Sequence, residues 1–257
     1  MKKFISNKIV LTALGIILFF LIWFLISVII DETTLIFPGP FKTILESVKL
    51  LGTSYLYKCL ANSFLRLLIG FLISFVLAGI FGTLSGIFNK LYIILKPSIT
   101  ALKAIPTATL LFLFLVLSGA KNAPIYVVVI LAFPILYEAF VGGIANMDKT
   151  IEDSIKLEGS NTLKSILKVR VPLAMPYILV GLSSSFALAF KVEIMAEVLS
   201  GNTADGLGCA IYAAKVNDPS NMTPIFAWSL IAIVLMLLID LLNYELKKRI
   251  DRKYGIN

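Results

Sequence analysis

The chain has 257 residues, of which 59% are hydrophobic and 15% charged, and its formal net charge is +8. Soluble domains are about 45–50% apolar and about 25% charged, so this composition excludes an ordinary soluble fold and indicates a membrane protein. The positive charge lies at the ends of hydrophobic segments, which orients a membrane protein and does not indicate a nucleic-acid partner. The chain lacks histidine, so no catalytic residue, metal site or cofactor is predicted.

Six hydrophobic segments predict six membrane spans in one domain that covers residues 1–257, since a span needs about 20 apolar residues. They are residues 9–30, 59–81, 99–117, 124–144, 176–199 and 224–242. The first segment is longer than the core of a signal peptide and no small-x-small cleavage site follows it, so we interpret it as a retained span. A short amphipathic helix is expected at Phe41–Leu51.

The distribution of lysine and arginine predicts that both termini are cytoplasmic. With the N-terminus inside, sixteen of these residues fall in cytoplasmic segments. Five fall in the outer segments, namely Lys42, Lys49, Lys58, Lys121 and Lys215. An even number of spans fits this arrangement.

Two patterns of small residues bear on packing and cross-linking. Ala78, Gly82 and Gly86 recur every four residues, a small-xxx-small stripe that allows two helices to approach closely. The stripe fits packing inside one subunit, which we favour, or packing across a dimer interface. Cys59 and Cys209 are the only cysteines, so the chain can form at most one disulfide bridge.

The longest cytoplasmic connection, residues 146–171, predicts two short helices. Thr150 and Asp153 form a capping box that starts the first helix, and Gly159 supplies the positive φ that ends it. An ordered helical projection of this kind suggests a docking surface for another protein. The alternative is an interfacial helix whose basic residues lie on anionic lipid.

The same connection resembles the cytoplasmic loop of binding-protein-dependent ABC importer permeases, in which a Glu-Ala-Ala triplet precedes a glycine and a proline follows thirteen residues later. Gly159 and Pro172 have this spacing. The triplet aligns with Asp153-Ser154-Ile155, where both alanines are replaced, and Glu152 could also supply the acidic contact. The resemblance implies an ATPase-docking coupling helix made of Glu152, Asp153, Ser154, Ile155, Lys156, Leu157 and Gly159.

Further motifs occur in the order seen in the nitrate/sulfonate/taurine-type branch of these permeases, which includes importers of thiamine precursors. They are Phe37-Pro38-Gly39-Pro40, Asn62-Ser63-Phe64-Leu65-Arg66, Leu102-Lys103-Ala104-Ile105-Pro106, Phe133-Pro134-Ile135-Leu136, Ala196-Glu197-Val198 and Gly206-Leu207-Gly208. The resemblance implies an all-α, six-span, type I importer permease in the bacterial inner membrane. It also implies a second permease copy, two ATPase subunits and a periplasmic or lipid-anchored binding protein that delivers a small polar nutrient.

Four ionisable residues lie inside predicted spans, where each costs about 2.5–3.5 kcal/mol at the bilayer centre and therefore requires a polar partner. They are Arg66, Glu138, Lys191 and Glu193, and Glu197 lies at the margin. In one hypothesis, Arg66 pairs with Glu193 or Glu197, and Lys191 faces the transport pathway, where it attracts an anionic or zwitterionic substrate. The other treats the charges as structural ion pairs, although Glu138 lies near an inner span end and is expected to reach the interface.

Two other classes of protein remain as alternatives. The first is a secondary transporter or channel that works without an ATPase, but the sequence contains no internal inverted repeat. The second is a membrane-embedded enzyme, which the lack of histidine and of a metal-ligand cluster disfavours.

Overall fold

The computed structural model describes residues 8–30, 36–147, 165–201 and 205–254. The described residues form nine α-helices and one π-helical turn at Ile166–Arg170. The helices are α1 (Lys8–Ile29), α2 (Pro40–Leu51), α3 (Ser54–Ile87), α4 (Asn89–Ala104), α5 (Thr107–Ser118), α6 (Ala123–Ala145), α7 (Val171–Leu199), α8 (Leu207–Asn217) and α9 (Thr223–Tyr254). The fold is all-α, as predicted.

Five of the described helices are long and apolar enough to cross a membrane, and the pair α4–α5 raises the number to six if it counts as one broken span. The third predicted span, residues 99–117, is not one straight helix in the structure, because α4 and α5 meet at 94°. Ile105 and Pro106, which lie at the break, are both extended. A proline disfavours the helical conformation in the residue before it, and this explains why α4 ends there.

Other helices extend beyond the predicted spans. The second predicted span, 59–81, lies within the 34 residues of α3, which at 1.5 Å per residue is longer than a bilayer core of about 30 Å. The fifth, 176–199, begins earlier in the structure, because α7 starts at Val171 and runs through Pro176. Pro172 lies in the first turn of α7, directly after the π-helical turn Ile166–Arg170.

Most of the predicted cytoplasmic connection 146–171 lies outside the described residues, including the whole segment Glu152–Gly159. Its described C-terminal end, Ile166–Arg170, is the π-helical turn that leads directly into α7. The coupling helix therefore stays a sequence-based prediction.

Close packing at small residues joins α3, α6 and α7 at the centre of the bundle. A Cβ atom added at Gly82 would lie 2.7 Å from Phe140 Cβ, and one added at Gly86 would lie 2.8 Å from Ile144 Cβ. One added at Gly181 would lie 2.2 Å from Ala139 Cβ. The small-residue stripe on α3 therefore packs on α6 of the same chain, which confirms the first of the two readings of that stripe.

A matched pair of neighbouring glycines on α6 tests this packing. Gly143→Ala is expected to lower the free energy of unfolding by about 1–3 kcal/mol, as overpacking does, because the new methyl group would lie 2.9 Å from Ala174 Cβ and 3.0 Å from Ala174 O. Gly142→Ala meets no atom within 4 Å and should leave stability unchanged or raise it by up to about 1 kcal/mol. Thermal unfolding of both variants in detergent measures the difference, and equal losses would contradict this account.

Candidate functional site

A buried polar cluster lies where α3, α7 and the start of α8 meet. At its centre is the carboxylate of Glu197, which is fully buried. Ser63 Oγ donates to its Oε2 atom at 2.7 Å, and the backbone N–H of Gly208 donates to the same oxygen at 2.8 Å. The guanidinium of Arg66 donates to Oε1. The carboxylate is therefore both charge-paired and hydrogen-bonded, the arrangement that a buried charge requires.

The same cluster fixes the beginning of α8. Arg66 Nη2 donates to the backbone oxygen of Asp205 at 3.0 Å, and the N–H of Leu207 donates to Ser63 Oγ at 2.8 Å. Because the Glu197 carboxylate lies at the N-terminus of α8, it also interacts favourably with the helix dipole. Three chain segments are thus tied together by one carboxylate, one guanidinium and one hydroxyl group.

Two glycines allow this close approach. A Cβ atom added at Gly206 would lie 2.6 Å from Glu197 Oε1, and one added at Gly208 would lie 2.4 Å from the backbone oxygen of Ile194. Gly206 is extended, with φ 173°, and Gly208 lies within the α-helix, so the restriction is the space around each residue and not its backbone conformation. The Gly-Leu-Gly motif is the part of α8 that can lie directly on α7.

Glu193 lies one turn before Glu197 on α7 and is also fully buried. Neither of its carboxylate oxygens makes a hydrogen bond with the residues that the structure describes. Of the two partners proposed for Arg66, the structure therefore selects Glu197. A carboxylate without a hydrogen-bond donor is costly to bury, so the burial of the Glu193 side chain is unfavourable.

Lys191 lies on a different face of α7 from the cluster. It is exposed on the single chain, and it makes no ion pair or hydrogen bond with any residue in the described ranges. It belongs to a stripe of exposed residues at helical spacing, namely Tyr177, Ser184, Leu188, Lys191 and Met195. We call this set the α7 stripe. The hypothesis that the charges inside the spans form structural ion pairs is therefore not supported for Lys191 by the residues that the structure describes.

Glu138 pairs with Lys103 across the bend of the broken span. Lys103 Nζ lies 2.7 Å from the carboxylate of Glu138, and both side chains are about half exposed, at 45% and 54%. An ion pair with this exposure contributes at most about 1 kcal/mol. The contact joins the end of α4 to α6.

Sequence reasoning missed Ser63 and the backbone groups of residues 205–208 as members of the cluster. It also missed a polar cavity of about 570 Å³ at the inner ends of α3 and α6. Its polar lining residues are Ser85, Asn89, Tyr92 and Arg170. The only sequence signal for the cluster was the presence of three separate motifs, around Arg66, Glu197 and Gly206-Leu207-Gly208, which the fold brings together.

Residues 70–252 match the family model described as "Binding-protein-dependent transport system inner membrane component". The chain belongs to this family. It is a multi-pass inner-membrane permease subunit, a transport component and not an enzyme. Membership implies ATPase and substrate-binding-protein partners.

Relatives of the permease include members of the predicted branch. It is 25% identical over 202 residues to the "Putative aliphatic sulfonates transport permease protein SsuC" of Bacillus subtilis, covering 78% of this chain and 72% of that protein. It is 28% identical over 187 residues to the nitrate import permease protein NrtB of Leptolyngbya laminosa, covering 72% and 66%.

A solved structure shares the fold of the permease. The inward-facing methionine ABC transporter MetNI matches with a TM-score of 0.57 at 17% identity, covering 76% of this chain and 93% of the MetNI chain. At this identity the likeness concerns the fold alone, which is that of a type I importer permease.

Proposed function

We propose that two identical copies of this permease enclose a pathway for a small polar nutrient that carries a negative or zwitterionic group. Sulfonates, taurine, nitrate and thiamine precursors are the candidate substrates, and a binding protein delivers them to the outer face. The observation that carries this proposal is the position of Lys191, an exposed cation on a membrane-spanning helix.

The cost of burying charge in lipid supports this proposal. Lys191 lies eight residues before the end of α7, which is about 12 Å along the helix. An ammonium group that faced lipid would cost up to about 2.5–3.5 kcal/mol, the value at the bilayer centre. A second copy that covers the α7 stripe and leaves a polar space beside Lys191 removes this cost. The cation then attracts an anionic group on the substrate.

The energy for transport would come from two ATPase subunits, each of which receives one coupling helix at Glu152–Gly159. The described ends of this connection support the proposal, because Ala145 and Arg170 both line the polar cavity at the inner ends of α3 and α6. A push on the connection would thus reach the start of α7 directly. A short helix transmits such a push as a rigid body.

The test is co-purification with a candidate ABC ATPase subunit from the same organism, followed by an ATPase assay of the complex in liposomes. Asp153→Arg should abolish co-purification and lower binding-protein-stimulated ATP hydrolysis at least tenfold, because it reverses the charge at position 153 of the coupling helix. Lys168→Glu is the matched control. It makes a charge change of equal size at an exposed position of the π-helical turn and should have little effect.

Two outcomes would contradict the proposal. One is an Asp153→Arg complex that assembles and hydrolyses ATP as the unmodified complex does. The other is uphill transport by the permease alone, in liposomes that contain an ion gradient and no ATPase, which would indicate a secondary transporter.

A further inference from the structure

The short helix α2 turns its large apolar side chains away from the rest of the chain. The residues that it buries are small or polar, namely Pro40, Thr43 and Ser47, and Ser47 Oγ donates to the backbone oxygen of Ala227 on α9 at 3.3 Å. The exposed apolar side chains are Phe41, Ile44, Leu45 and Val48. Their spacing of i, i+3, i+4 and i+7 makes them one continuous stripe on the helix, which we call the α2 stripe.

The charged residues of α2 lie on a third side of the helix. At 100° per residue, Lys42, Glu46 and Lys49 are centred about 120° from the α2 stripe and about 120° from the buried side. Lys49 Nζ lies 3.0 Å from Glu46 Oε2, so the two form a surface ion pair. A helix with one apolar and one charged side, both exposed, has the pattern of helices that lie in the plane of a membrane–water interface.

Hydrogen bonds to two membrane-spanning helices fix the depth of α2. The indole N–H of Trp23 donates to the backbone oxygen of Pro38, two residues before α2 begins, at 3.1 Å. Trp23 lies six residues before the end of α1, which is about 9 Å along that helix. Ala227, the partner of Ser47, lies four residues after the start of α9, which is about 6 Å. Interfacial helices bury their apolar side at a similar depth, about 5–10 Å.

A groove between α1 and α2 joins the α2 stripe to a surface that lipid covers. The groove has a volume of about 470 Å³, and its lining residues are Phe20, Leu21, Phe24, Pro40, Phe41 and Ile44. The rings of Phe24 and Phe41 meet edge to face, with their centroids 6.2 Å apart. The span in α1 is only 6% buried within the chain, and a protein partner could cover only one side of such a helix. The acyl chains that surround its other sides therefore have an unbroken apolar path to the α2 stripe.

We propose that α2 is an interfacial helix whose apolar stripe binds the acyl chains of membrane phospholipid, and that one acyl chain fills the groove between α1 and α2. The distribution of lysine and arginine predicts that this end of the bundle lies in the outer leaflet. Removal of the α2 stripe from water stabilises this position, and the charged side stays at the level of the headgroups. The inference does not rest on the proposed function, because it concerns the lipid contacts of α2 and not the substrate or the ATPase.

Spin labels on introduced cysteines measure which medium each side of α2 contacts. Leu45→Cys and Val48→Cys place a label on the α2 stripe, and Lys49→Cys is the matched control on the charged side of the same helix turn. The labelled full-length permease is reconstituted into phosphatidylcholine vesicles. Power saturation then measures collisions of each label with oxygen, which concentrates in lipid, and with a nickel chelate, which stays in water. The native Cys59 and Cys209 are buried, and the unmodified chain treated with the same label measures any background.

The ratio of oxygen collisions to nickel collisions should be several times higher for Leu45→Cys and Val48→Cys than for Lys49→Cys. Equal ratios at the three positions would overturn the inference, because the α2 stripe would then face water. Protection of both stripe labels from both reagents would also overturn it, since a second copy of the chain or another protein would then cover the stripe. The three side chains are exposed, so the substitutions remove few contacts within the chain, and thermal unfolding of each labelled variant checks that it is folded.

A photoreactive lipid tests the groove directly. A phosphatidylcholine that carries a diazirine in one acyl chain is added to the vesicles, and after illumination the permease is digested and its lipid adducts are located by mass spectrometry. Adducts are expected on residues 20–24 of α1 and on residues 40–44 of α2. Adducts on other spans of the same preparation, with none on these two segments, would overturn the assignment of an acyl chain to the groove.

Discussion

Glu197→Ala is expected to lower the free energy of unfolding by about 3–5 kcal/mol, the range measured when one partner of a buried ion pair is removed. The substitution leaves the guanidinium of Arg66, whose side chain is only 11% exposed, without its counter-charge. It also removes the acceptor for Ser63 Oγ and for the N–H of Gly208. Two measurements on the purified permease in detergent report the loss of stability: the thermal unfolding temperature and the folded fraction at one fixed temperature.

Glu193→Gln is the control for this prediction. Glu193 lies on the same helix with the same burial, but its carboxylate has no hydrogen-bond partner among the described residues. A neutral amide of nearly the same shape is cheaper to bury than an unpaired carboxylate, so stability should rise or change by less than about 1 kcal/mol. If both variants lost stability equally, the hydrogen bonds of Glu197 would not be what stabilises this end of the bundle.

The second large effect is expected at Lys191. Lys191→Met should lower the rate of ATP-driven uptake of an anionic substrate at least tenfold, which corresponds to about 1.4 kcal/mol, because it removes a cation that the pathway presents to the substrate. Stability should be nearly unchanged, since Lys191 makes no ion pair within the part of the chain that the structure describes. Uptake of sulfonate, taurine and nitrate into proteoliposomes with the ATPase and binding protein measures the effect.

Lys191→Arg keeps the charge and should retain most of the transport. If Lys191→Met instead transported normally but unfolded at a markedly lower temperature, the residue would serve assembly and not the pathway. Normal transport at normal stability would likewise remove Lys191 from the pathway. Measuring transport and unfolding on the same preparation distinguishes these results.

Hydropathy predicted the membrane-spanning helices well, because each is a long apolar run and the bilayer sets its length. Hydropathy did not predict the bend in the third span, because a mean over about 20 residues does not detect a change of direction. Pro106 carried the local signal, but Pro176 lies inside a continuous helix. The presence of a proline alone therefore does not show whether a helix breaks at that residue or continues through it.

The polar cluster could be predicted only in part. Arg66 needed an acidic partner, and Glu193 and Glu197 are four residues apart on one helix face, so the sequence offered both. The start of α8, which brings the N–H of Gly208 to Glu197, decides between them. Ser63 gave no signal of its own, since a serine in an apolar helix fits ordinary packing equally well.

The pairing of Arg66 with Glu197 also has a consequence for biosynthesis. The two residues are 131 positions apart, and a ribosome adds about 5–20 residues per second, so the arginine is made roughly 7–26 s before its counter-ion. During this interval the nascent helix must keep a guanidinium hydrated at the insertion machinery or among lipid headgroups. The ion pair between Arg66 and Glu197 can therefore form only after α7 has been synthesised, well after α3 has left the ribosome.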